Sequence, residues 1–98
     1  MYIIREIFHL QFGRYREAKA LIDEAIQKQL LMQPAGSRIL TDFTGTGYRM
    51  IIELPFATLA EYERDLKKEL DRNGWTTWYD KFKSLVRYSE REILKLVD

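Results

Sequence analysis

Cysteine is absent from this chain of 98 residues. That excludes disulfides, thiolate metal sites and thiol nucleophiles together. Histidine is nearly absent: His9 stands alone, too little for a His-rich zinc centre. Asp and Glu are scattered over helix faces without metal-like spacing, so no metal or cofactor is expected. Charge of one sign is also missing, since sixteen basic residues against fifteen acidic ones leave a net +1. A nucleic-acid or anionic-membrane surface needs a basic excess. No apolar run is long enough to span a bilayer, and the amino terminus lacks a basic stretch followed by a long apolar one. These absences predict a soluble, cytoplasmic protein with no nucleic-acid or membrane partner. Ninety-eight residues with no linker, repeat or low-complexity segment make one domain, 1–98.

What is present reads as alternating strands and helices. Tyr2–Phe12 is rich in β-branched and aromatic residues, as a strand should be. Its side chains alternate between two faces. Tyr2, Ile4, Glu6, Phe8, Leu10 and Phe12 make a face that is nearly all apolar; Ile3, Arg5, Ile7, His9 and Gln11 make a mixed one. Apolar spacings of three and four from Tyr15 to Ile26 predict a helix from Arg14 to about Leu31, stopped by Gln33–Ser37. Arg38–Thr44 and Tyr48–Phe56 read as strands joined by a hairpin at Gly45-Thr46-Gly47. That glycine pair lacks the lysine and following helix of a phosphate loop. Thr58-x-x-Glu61 is a capping box opening a helix to about Arg72, with Leu59, Tyr62, Leu66 and Leu70 inward. Asn73-Gly74 ends it in a left-handed turn. A short helix from Trp75 to Val86 and a strand from Ser89 to Val97 complete the chain, with a helix from Glu90 as the competitor for the last segment.

This order is α+β, the ferredoxin-like split βαββαβ arrangement with an extra short helix before the last strand. It implies one four-stranded antiparallel sheet, the first and third strands central, and helices over one face. The other face would present Ile3, Ile7, Leu40, Ile51, Ile93 and Val97 among Arg5, Asp42, Arg49, Glu53, Arg91 and Lys95. Apolar area of that extent marks an interface. A second copy related by a two-fold axis, sheet to sheet, is the expected cover.

The run Phe12-Gly13-Arg14-Tyr15-Arg16-Glu17-Ala18 resembles the opening of the dimeric α+β barrel proteins. Trp75-Thr76-Thr77-Trp78-Tyr79 through Phe82, Leu85 and Val86 to Arg91-Glu92-Ile93 resembles their NIPSNAP-like branch, related to antibiotic-biosynthesis-monooxygenase-type domains. The resemblance implies a homodimeric barrel. It also implies a cavity, between sheet and helices or inside the barrel, in members that bind ligands. It does not choose a reaction. The haem-degrading relatives use an asparagine on the first strand and a histidine on a helix. Here the only asparagine is Asn73 and the only histidine is on the strand, which sets haem degradation aside.

His9 is the one side chain that titrates near neutrality unperturbed. It is either a general base or an interface histidine with a hydrogen-bond partner. Arg5, Arg49, Glu53 and Arg91 form either a cluster beside His9 that holds a carboxylate or enolate, or a salt-bridge network that fixes dimer register. Trp75, Trp78, Tyr79 and Phe82 either wall a pocket for a flat molecule or fill the core. The leading reading is a small homodimeric NIPSNAP-like protein of uncertain activity, binding a small apolar or aromatic molecule. The alternative is a cofactor-independent monooxygenase or isomerase acting on a small aromatic or enolisable substrate, with His9 and Arg91 nearest the chemistry. A regulatory ligand-binding module is a third class that the residues do not separate from the first.

Overall fold

The computed structural model describes residues 1–97. Strand β1 (Tyr2–Leu10) leads to helix α1 (Tyr15–Gln27), then strands β2 (Arg38–Thr41) and β3 (Arg49–Phe56). Helices α2 (Leu59–Leu70) and α3 (Trp75–Lys83) and strand β4 (Val86–Lys95) follow. The sheet order is β2-β3-β1-β4, every pair antiparallel, so β1 and β3 are the central strands as expected. The last segment is strand, not helix, because β1 supplies it with a ladder from Tyr2 to Leu10. Among the described residues no helix is long and apolar enough to cross a membrane.

The apolar stripe of α1 and the aromatic stripe of α3 meet the sheet in one cluster. Leu10, Ile22, Met50, Trp78 and Phe82 are buried there. A second cluster holds Ile4, Met32, Leu54, Phe56 and Tyr62 beneath α2. Thr58 caps α2 as its sequence foretells, accepting the Glu61 amide at 3.2 Å. Gly74 takes the left-handed φ of 92° between α2 and α3, a conformation that costs glycine nothing.

Four expectations need correction. First, β1 stops at Leu10; Gly13 turns the chain with φ 76°, and Phe12 is exposed rather than core. Second, α1 ends well before Pro34. Gln29 is left-handed (φ 56°), its amide bonds the Ile26 carbonyl, and the Leu30 amide bonds that of Ala25 at 2.8 Å. This is a Schellman ending with glutamine where glycine is usual, so the sequence carries no obvious stop signal. Third, Leu59 and Leu70 of α2 are exposed, while Glu69 is buried with Tyr62. Fourth, β2 ends at Thr41, and residues 42–48 form a longer loop rather than a tight hairpin. Asp42 holds that loop by accepting the Gly47 amide at 2.8 Å and the Arg49 guanidinium at 2.7 Å.

The faces of β4 are also the reverse of those expected. His9 pairs with Tyr88 but Leu10 pairs with Val86, so Arg87 is an extra residue in the ladder. Such a bulge flips the alternation of the strand beyond it. Val86 packs on the core beneath the helices, yet Arg91 and Ile93 lie on that same helix side, opposite Glu6 and Ile4. The outer face instead receives Tyr88, Glu90, Glu92 and Leu94, opposite His9, Ile7, Arg5 and Ile3.

Candidate functional site

Between the helices and the inner face of the sheet lies a cavity of about 640 Å³. Small organic ligands occupy clefts of roughly 300–1,000 Å³. The spacing of three and four along α3 turns Trp75, Trp78, Tyr79 and Phe82 to it, so the aromatic stripe is both core and cavity wall. Trp75 stacks on Tyr79 (centroids 4.7 Å, 10° between planes) and Trp78 on Phe82 (5.2 Å, 13°). The Trp78 indole is anchored by donating to the Leu21 carbonyl at 2.6 Å. The Trp75 indole N–H is buried and makes no hydrogen bond among the described residues. Ile22 and Ile26 of α1, Ile52 and Leu54 of β3, and Leu31 and Met32 of the connection complete the apolar lining.

Besides Arg38 at the rim, three charged groups interrupt this lining. Glu6 of β1 and Arg91 of β4 are cross-strand partners, with Arg91 Nε donating to Glu6 Oε1 at 2.5 Å. Glu69 comes from α2, where only 8% of it is exposed, and accepts the Met32 amide at 2.9 Å. Burial pushes the Glu69 carboxyl up; the Met32 amide and the Arg72 and Arg91 charges offset part of that. Burial likewise raises the Tyr62 hydroxyl, which is sealed without a partner beside the same charges. For Arg91, burial works against the charged form, and the Glu6 carboxylate more than compensates, so its affinity for its proton is raised.

Neither Glu6 nor Glu69 was singled out by sequence as a site residue. Both left a signal: Glu6 falls on the apolar face of β1, and Glu69 continues the inward spacing of Tyr62 and Leu66 at the next helical turn.

The sequence candidates divide between the two sides of the sheet. Trp75, Trp78, Phe82 and Arg91 line the cavity. His9, Arg5, Arg49 and Glu53 do not; they lie on the outer face, so the expected cluster of Arg91 beside His9 does not form. There His9 stacks on Tyr88 at 4.0 Å and its Nε2 lies 2.6 Å from Glu90 Oε1. Glu53 bridges Arg5 at 3.2 Å and Arg38. Arg5 also reaches Glu92 at 3.2 Å. Arg49 is committed to Asp42: their hydrogen bond, opposed by burial, holds the Asp42 carboxyl below its usual range. No group of three or more metal-ligating side chains occurs among the described residues.

No protein-family model matches the sequence, and no curated protein matches it. Solved structures do match its fold. A NIPSNAP family protein from Agrobacterium tumefaciens superposes with a TM-score of 0.84 at 22% identity, over 99% of this chain and 86% of that one. An uncharacterised NIPSNAP domain protein from Burkholderia xenovorans gives 0.82 at 12% identity, over 99% and 95%. An antibiotic biosynthesis monooxygenase gives 0.72 at 11% identity, over the full length of both. The chain has the ferredoxin-like α+β fold that these proteins share.

Proposed function

We propose that this chain is a homodimeric, NIPSNAP-like small-molecule-binding protein that takes a small, largely apolar or aromatic molecule between its helices and its sheet. The observation that carries this is the cavity itself. Its volume of about 640 Å³ lies beside large, adaptable side chains that nonetheless leave it open. Close-packed interiors rarely leave such space. A thermal-shift screen against small aromatics tests it, because a ligand of the native state raises the apparent Tm. The expected outcome is a dose-dependent rise that Trp75→Leu diminishes; no rise with any aromatic would sink the reading.

The dimer half of the proposal rests on the outer face. Ile7 and Ile51 are paired there beneath a mesh of ion pairs, with Leu40 and Leu94 exposed at its margins. A second copy facing this surface would desolvate those pairs and use them to set register. Sedimentation at micromolar concentration should show a dimer. The enzymatic reading, a monooxygenase or isomerase, is supported by likeness of fold to an antibiotic biosynthesis monooxygenase. It loses His9 as its cavity base, since that side chain is on the other side of the sheet. His9→Gln should therefore leave ligand binding unchanged.

A further inference from the structure

Not every charge of the cavity is paired, and the one left over is negative. Glu6 and Glu69 contribute two carboxylates. Of the guanidiniums nearby, Arg91 is committed to Glu6. Arg38, at the rim, is committed to Glu53 through both Nε and Nη2. Arg72 donates to the Gln29 and Leu31 carbonyls at 2.6 and 3.2 Å, tying α2 to the end of α1. Among the described residues Glu69 has no cationic nitrogen within 4.0 Å; its one partner is the neutral Met32 amide. A buried carboxylate with no counter-charge is costly and either gains a cation or neutralises.

The aromatic wall has the matching character. Its four rings line the cavity, and aromatic rings attract cations over their faces and disfavour anions there. Lys83 already sits 5.8 Å from the Tyr79 ring centroid.

We infer that the ligand of this cavity is an organic ammonium, with an apolar body against the α3 aromatic wall and its charged nitrogen beside Glu69. This rests on the cavity-binding reading above and deepens it. The ammonium supplies the counter-charge that Glu69 lacks and exchanges its hydration for a carboxylate and ring faces. A carboxylate ligand finds no uncommitted guanidinium and faces two like charges. A neutral alcohol gains the wall but leaves Glu69 as it was.

Three compounds of one shape test this: naphthylmethylamine, naphthylmethanol and naphthoate, titrated calorimetrically into the intact protein. The amine should bind about tenfold tighter than the alcohol, as a charge-assisted contact with a buried carboxylate predicts, with naphthoate weakest. Glu69→Gln keeps an acceptor for the Met32 amide and should bring the amine down to the alcohol's affinity, leaving the alcohol unchanged. A second readout needs no variant. Glu69 is faced by Glu6 of β1, Arg91 of β4, Tyr62 of its own helix, Arg72 and the Met32 amide. Amine affinity should rise as pH rises through the Glu69 titration, with a proton released on binding, while the alcohol's stays flat. Should Glu69→Gln fail to fold, this profile decides alone. The inference is overturned if the alcohol or naphthoate matches the amine, if Glu69→Gln keeps the preference, or if the amine's pH profile is flat. Equal binding by all three leaves the cavity reading standing and removes only the ammonium. Binding by none removes both.

Discussion

The two faces of strand β1 carry similar residues to different ends. On the outer face nearly every charge has an opposite within reach: Arg5 with Glu53 and Glu92, Arg38 with Glu53, Arg49 with Asp42; the His9 ring meets Glu90. Those side chains lie over Ile7 and Ile51, which are only 6% and 5% exposed without any partner subunit. On the inner face apolar and aromatic groups predominate, and one buried carboxylate has no cation in contact with it. Paired charge on a surface confers specificity at little net energy. Unpaired charge in a cavity is a demand on a ligand. The contrast supports the proposal that the outer face recognises another chain and the inner one receives a small molecule.

The sharpest test of that separation is stability. Phe82 is sealed in the core, T-shaped against Phe8 at 5.0 Å. Phe82→Ala should lower the unfolding free energy by about 3–5 kcal/mol in urea denaturation, as large core truncations do. Leu94→Ala, at the outer margin, should change it by about 0.5 kcal/mol or less in the same monomer. Comparable losses would erase the distinction between the faces.

Next comes Glu53→Ala, which removes the shared partner of Arg5 and Arg38. The isolated monomer should lose less than about 1 kcal/mol, as for other exposed pairs. The dimer should weaken by about tenfold or more in sedimentation, because a desolvated pair that loses one member leaves the other charge unpaired. An unchanged dimer would detach the ion-pair mesh from assembly.

A smaller effect follows from pH. Glu69 is raised in the folded state, mainly by burial, so the folded protein holds that proton more tightly than the unfolded chain. Its stabilising contribution is present below the ordinary carboxylate pKa and is lost as pH rises through the raised one. Glu69→Gln should therefore track wild type in acid and become the more stable of the two above that window. A constant difference across the range would show that Glu69 does not titrate in this way. Trp75→Leu should also cost little stability. Trp75 is partly buried and its N–H has no partner, so the loss should stay within about 1 kcal/mol. Binding of an aromatic ligand, read by calorimetry, should still weaken several-fold.

Much of this was legible in the residues because local patterns agree with the fold. The Thr58 cap, the Gly74 turn, the central β1 and β3, and the aromatic spacing of α3 each follow from neighbours in sequence. What was not legible depends on contacts remote in sequence. Leu59 and Leu70 look inward by periodicity but stand at the two ends of α2 and stay half-exposed, Leu70 at the edge of the cavity lining. Glu69 looks outward by chemistry and is drawn in by the Met32 amide, thirty-seven positions away. The partition of His9 from Arg91 could not be read because both faces of β4 are equally mixed; alternation alone does not say which is which.

That partition comes down to Arg87, the extra residue opposite the His9–Leu10 step. It is not among the residues that line the cavity, yet it decides which half of β4 the cavity sees. Were Arg87 paired opposite His9 in a regular ladder instead of bulged out, with Val86 kept on the core, the pattern beyond it would slip by one. Glu90 and Glu92 would turn toward the helices, and Arg91 would turn away from Glu6. An anion-rich interior would replace the present one without a single substitution. Binding chemistry in this fold is thus open to change by loss or gain of a bulge at one point on an edge strand, a route that comparison of aligned residues would overlook.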